Sequence, residues 1–183
     1  GLAVLCPASS ARGQGADGSG NDEVRLLREA AVREAAGDFA GAERILEGIL
    51  EKDPTAVSAL VALERVYRVQ GRLADLLDPV DRLLEADPTS TMGHQLRLKT
   101  LAELNRMDRF EEAAEAWIAA APKLETPYRE IAQVYAARGM HARAVQVLER
   151  GRARIGRPDA LALELGEAFA HLGEDQRAIR EWE

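Results

Sequence analysis

The chain has 183 residues, 46% of them apolar, enough to bury a sizeable core in one or two domains. Alanine, leucine, glutamate and arginine dominate, and aromatic residues make up only 4%, which favours helices and argues against a sheet-rich fold. A net charge of −7 without long Lys/Arg runs excludes a dedicated nucleic-acid binder, which needs a basic stripe to displace phosphate counterions. The single cysteine, Cys6, excludes an internal disulfide framework and a multi-cysteine metal site.

Residues 1–21 are expected to form a flexible leader, because Cys6 to Gly20 is rich in small and turn-forming residues and has no helical period. Gly1 to Leu5 is apolar, and small residues follow at cleavage-like spacing. The segment resembles the tail of a secretory signal whose charged start is missing. On that reading the protein is bacterial and exported, periplasmic or extracellular; the plainer alternative is an ordinary leader on a cytoplasmic protein. Leu5 stands where a lipid-anchor signal at Cys6 would want a small residue. No apolar run of about 18 residues, the length a spanning helix needs, occurs elsewhere.

A repeat domain is expected over residues 22–183. Gly37 and Gly71 lie 34 residues apart, as do Gly139 and Gly173, and Asp53-Pro54 and Asp87-Pro88 share the spacing. Asp108 is taken as the third punctuating residue, three places from the midpoint of Gly71 and Gly139. Each unit reads as helix, tight turn, helix. The helices are predicted over residues 22–36, 39–52, 55–70, 73–86, 89–106, 109–120, 125–138, 141–155, 158–172 and from 175 to the end. Approximate units are 23–56, 57–90, 91–124, 125–158 and 159–183, the last truncated within its second helix with no polar closing helix, as in a fragment of a longer protein. Asp53 and Asp87 are expected to cap helix starts, with Pro54 and Pro88 in the first turn. Pro79 predicts a kink, or a helix restarting at Asp78.

Counting from each punctuating residue, the fifth place onward holds Ala42, Leu76, Ala113, Ala144 and Ala178, and the ninth holds Leu46, Val80, Trp117, Leu148 and Trp182. Both places are expected in the core, the tryptophans included. Tyr67, Tyr135 and Phe169, four places ahead of a glycine, join them.

Leu165-Gly166, Phe169, Gly173, Ala178 and Trp182 follow in order the pattern of the tetratricopeptide repeat (TPR), as do Tyr67, Gly71, Leu83 and Pro88. The chain from Glu23 onward resembles that family. Arg33 and Glu64 depart from the pattern, consistent with an imperfect or capping first repeat. The resemblance implies an all-α fold, an α-solenoid of about five hairpins in a right-handed superhelical stack, whose first helices line a groove that holds an extended peptide or a partner helix. The family's chaperone-binding carboxylate clamp is set aside, because Leu27 and Ala31 stand at its Lys and Asn places.

Catalytic signatures are not found: the sequence has no phosphate-binding glycine loop, no nucleophile elbow and no zinc-helix motif. His94, His141 and His171 lack metal-ligand spacing and are expected at the surface or groove edge. Neither cofactor nor metal is expected. Helical phase places Glu34, Arg65, Arg68, Asn105, Arg106, Arg129, Gln133, Glu167 and His171 in the groove, with Lys99 at its edge. Its four arginines form a positive trough suited to an acidic segment or a free C-terminal carboxylate. The plainer alternative is that they pair with nearby glutamates such as Glu64 and Glu130. The expected function is therefore protein or peptide binding in a scaffold or assembly. Rival readings are an accessory region of a larger enzyme, sensor or secretion component, and self-association through uncapped ends.

Overall fold

A computed structural model describes residues 16–183, with side chains from residue 21 onward; the leader readings on residues 1–15 lie outside them. The described residues form ten α-helices and no strand: α1 (Ala16–Ala35), α2 (Phe39–Lys52), α3 (Val57–Val69), α4 (Leu77–Ala86), α5 (Thr91–Glu103), α6 (Met107–Ala120), α7 (Glu125–Ala137), α8 (His141–Ile155), α9 (Ala162–His171) and α10 (Asp175–Trp182). α1 starts six residues ahead of the predicted position 22. Gly18 and Gly20 argue against helix by only about 1 kcal/mol each, which extension of an already nucleated helix tolerates.

The chain divides into two compact units, the first ending at Gln70 and the second spanning Gly71–Glu183. In the first, α1 and α2 pack as an antiparallel hairpin and α3 lies against both. Ala42, Leu46, Ile49 and Leu50 of α2 meet a buried face of Ala59, Leu60, Leu63, Val66 and Tyr67 on α3. The Tyr67 hydroxyl donates to Glu47 Oε1 at 2.9 Å, so its polar end is satisfied beside the core. In the second unit α4 packs on α5, and the hairpins α5–α6, α7–α8 and α9–α10 follow one another. One continuous apolar cluster runs through them, from Leu77 through Phe110, Trp117, Tyr128 and Leu148 to Phe169 and Ala178.

Each hairpin turn is fixed by one residue in the left-handed region. Gly37, Gly71, Gly139 and Gly173 have φ between 69° and 78°, and the third position is filled by Asn105 at φ 54°. Asn105 is 34 residues from both Gly71 and Gly139, so the repeat needs no length adjustment and Asp108 is not its marker. Asparagine is, after glycine, among the residues that best tolerate this conformation. The same paired hydrogen bonds close the turns at Gly37, Asn105, Gly139 and Gly173. Asn105 N–H donates to Ala102 O at 3.0 Å and Arg106 N–H to Leu101 O at 2.9 Å, as Gly139 donates to Ala136 and Met140 to Tyr135.

The two Asp-Pro pairs do not cap helix starts, which fall to Ala56 and Ser90. Asp53 Oδ1 accepts from the Thr55 N–H (2.8 Å) and hydroxyl (2.6 Å), and Asp87 Oδ1 does the same with Thr89 (3.0 and 2.7 Å). Each Asp-Pro-Thr is an aspartate-stabilised turn, and α3 and α5 begin only at Val57 and Thr91. Pro79 behaves nearly as predicted. Residues Leu73–Leu76 form a 3-10 turn and the α-helix restarts at Leu77, which puts Pro79 in a first turn, where a missing N–H breaks no helical bond.

Candidate functional site

The observed period fixes which side chains share a repeat place. Six places ahead of the turn residue stand Arg65, Lys99, Gln133 and Glu167, all exposed. Every one was expected in or beside the groove, and each lies on the first helix of its hairpin. Asn105 and Arg106 do not join them: Asn105 is the turn itself, and Arg106 is an exposed residue just ahead of α6 whose carbonyl accepts from Phe110 N–H at 3.0 Å. Counting from Asp108 had shifted the third hairpin by three residues. With the turn at Asn105, its first-helix face instead presents Gln95 and Lys99.

Three of the four predicted arginines, Arg65, Arg68 and Arg129, are engaged by carboxylates. In the first unit, Arg65 grips Glu34 with two hydrogen bonds, Nε to Oε1 at 2.6 Å and Nη2 to Oε2 at 2.7 Å, which hold the Glu34 carboxyl below the usual range. Arg68 Nη2 donates to Glu64 Oε1 at 2.8 Å. In the second unit, Arg129 donates to Glu164 of α9 and, at 3.0 Å, to Glu125. Gln95 Nε2 of α5 donates to Glu130 Oε1 of α7 at 3.0 Å. Gln95 and Arg129 occupy equivalent places, as do Glu130 and Glu164, so one donor-to-carboxylate rung joins α5 to α7 and α7 to α9 in the same register. Comparable rungs tie second helices together: Arg143 to Glu111, and Arg150 Nη2 to Glu115 Oε2 at 2.7 Å. Exposed pairs of this kind contribute about 0–1 kcal/mol each, and their main effect is to fix register between hairpins.

α7, α8 and α9 enclose a pocket of about 100 Å³. It brings together four of the predicted residues, Arg129, Gln133, Glu167 and His171. His141, the first residue of α8, completes one wall, stacking on His171 with centroids 4.5 Å apart and planes 13° from parallel. The floor is apolar, made of Leu148 and alanines of all three helices, including Ala132, Ala144 and Ala168. Among the described residues, Glu167 has no ion-pair partner, and no group of three or more His, Cys, Asp or Glu side chains is placed to hold a metal ion. No described helix is long and apolar enough to cross a membrane.

Two aromatic expectations change. His94 is not at the surface: it is buried, stacks on Trp117 at 5.5 Å, and its Nε2 lies 3.0 Å from Pro88 O. Burial holds its pKa below the ordinary histidine value. The repeat carries the signal for this, because Leu60 and Tyr128 occupy the same place and both are fully buried. Trp117 is core, 1% exposed, but Trp182 is 52% exposed. The Nε1 edge of its indole lies where a Cβ on Gly166 of α9 would stand, and the rest of the ring is open to solvent.

The fold is a helical-repeat fold of the tetratricopeptide type. Among solved structures, a MamA protein is similar at 20% identity over 89% of each chain, with a TM-score of 0.55. A thermophilic TPR protein of Thermus thermophilus is similar at 19% identity over 87% of this chain and 88% of its own, TM-score 0.50. Pseudomonas aeruginosa PilF is similar at 16% identity over 90% of this chain and 75% of its own, TM-score 0.56. At these identities the likeness is one of fold. No family model matches the sequence, and no curated protein does.

Proposed function

We propose that the chain is a protein-interaction module that holds an extended peptide or a partner helix against the first helices of its second unit, α5, α7 and α9, in a scaffold or assembly. The observation that carries this is the row Lys99, Gln133 and Glu167: one repeat place, 34 residues apart, exposed on three successive first helices. Long polar side chains at a fixed interval beside small residues suit recognition of an extended chain. An acidic segment or terminal carboxylate docking at Arg65 and Arg68 would have to exchange with Glu34 and Glu64, which already occupy those guanidinium groups, so charge alone does not select such a ligand.

Photo-crosslinking residues placed singly at Lys99 and Gln133 should capture a partner in cells. The same residue at Glu112 and Arg154, exposed on α6 and α8, should not. Capture from α6 and α8 alone would contradict the proposal.

A further inference from the structure

We infer that the pocket between α7, α8 and α9 receives a lysine or arginine side chain of the bound partner. The inference rests on the module reading above and supplies the ligand chemistry for one place on that face. At about 100 Å³ the pocket is well below the roughly 300–1,000 Å³ of small-molecule sites, and it fits one side chain.

Its chemistry divides along its depth. The floor of alanines and Leu148 offers an aliphatic stem an apolar bed and has no polar group to desolvate. The formal charges of the lining are Arg129 (+1), Glu164 (−1) and Glu167 (−1), which sum to −1 with both imidazoles neutral. Arg129 is already held by Glu164 and Glu125. The carboxylate left without an ion pair among the described residues is Glu167. An incoming carboxylate would therefore meet like charge, and a purely apolar side chain would strip water from Glu167 without replacing it. A cation on a flexible stem meets both demands. The mutually stacked imidazoles of His141 and His171 line the same pocket, and His141 Nδ1, buried without a hydrogen-bond partner, leaves an unmet polar atom there.

The test is an NMR titration of the full chain with terminally blocked arginine, lysine, citrulline, norleucine and glutamate. Arginine and lysine should move the Gln133 and Glu167 amides and the His141 and His171 ring protons, saturably and about tenfold more tightly than citrulline or norleucine, the size of one charge-assisted contact. Glu167→Gln should remove that preference and leave the melting temperature unchanged, because Glu167 is exposed. Equal binding of citrulline, a preference for glutamate, or no saturable shift at these residues would overturn the inference. Crosslinking from Lys99 and Gln133 combined with an unselective pocket would remove this inference and leave the module reading standing. Crosslinking only from α6 and α8 would remove both.

Discussion

Gly151 and Gly48 both sit inside second helices, and the structure assigns opposite consequences to giving each a methyl group. A Cβ at Gly151 in α8 would lie 2.5 Å from Tyr128 Cγ and 2.9 Å from both Tyr128 Cβ and Leu161 Cδ1. Tyr128 cannot retreat: it is fully buried, and its hydroxyl donates to Pro122 O at 2.8 Å. Helix propensity favours alanine over glycine by about 1 kcal/mol, whereas forcing a methyl into a filled core costs about 1–3 kcal/mol. Against atoms this near the backbone the upper half of that range applies, so Gly151→Ala should lose about 1–2 kcal/mol. Gly48 in α2 has nothing within 4 Å of its Cβ position, so Gly48→Ala should gain about 1 kcal/mol. At roughly 2–4 °C per kcal/mol for a protein of this size, calorimetry should show one variant melting lower than the parent and the other higher. If Gly151→Ala stabilised as much as Gly48→Ala, α8 would not rest on Tyr128 as described.

Asn105→Ala should destabilise by about 1 kcal/mol while Asn105→Gly leaves stability unchanged or raised, since only the backbone conformation matters there; equal losses in urea denaturation would show that the Asn105 side chain itself is required. Arg152 donates to Ala160 O at 2.9 Å and to Glu181 Oε1 at 2.9 Å from a half-buried position. Arg152→Ala should therefore cost about 1–2 kcal/mol, clearly more than Arg143→Ala on an exposed rung. For His94 the folded pKa lies below the unfolded one, so the unfolded chain binds the extra proton. Stability is whole above about pH 6.5 and falls as pH drops from there toward the folded value. His94→Phe should flatten that part of the pH–stability curve, and an unchanged slope would place the titration elsewhere.

The glycine spacing and the alternating small and large apolar places made the fold legible, because they are direct consequences of turn geometry and helix packing. Most helices lie within a few residues of their expected bounds. The third turn escaped because an asparagine takes the place of a glycine, and that single substitution misplaced Asn105 and Arg106 and hid the burial of His94. The Asp-Pro pairs were visible as punctuation, but aspartate stabilises caps and turns through the same oxygen, and only the Thr55 and Thr89 contacts separate the two. The shared place of Lys99, Gln133 and Glu167 on successive first helices was legible from the repeat. The pairing of the arginines was not, because Arg65 with Glu34 and Arg129 with Glu164 join positions 31 and 35 residues apart, and such register is set by how neighbouring hairpins dock.

Backbone NMR assignment of the full chain tests the architecture most directly. Helical Cα shifts should be interrupted at positions 37, 71, 105, 139 and 173, and the Tyr128 ring should show Overhauser contacts to the Gly151 α-protons. Helical shifts running unbroken from Glu103 to Met107, or no contact between Tyr128 and Gly151, would contradict the repeat and the face built on it.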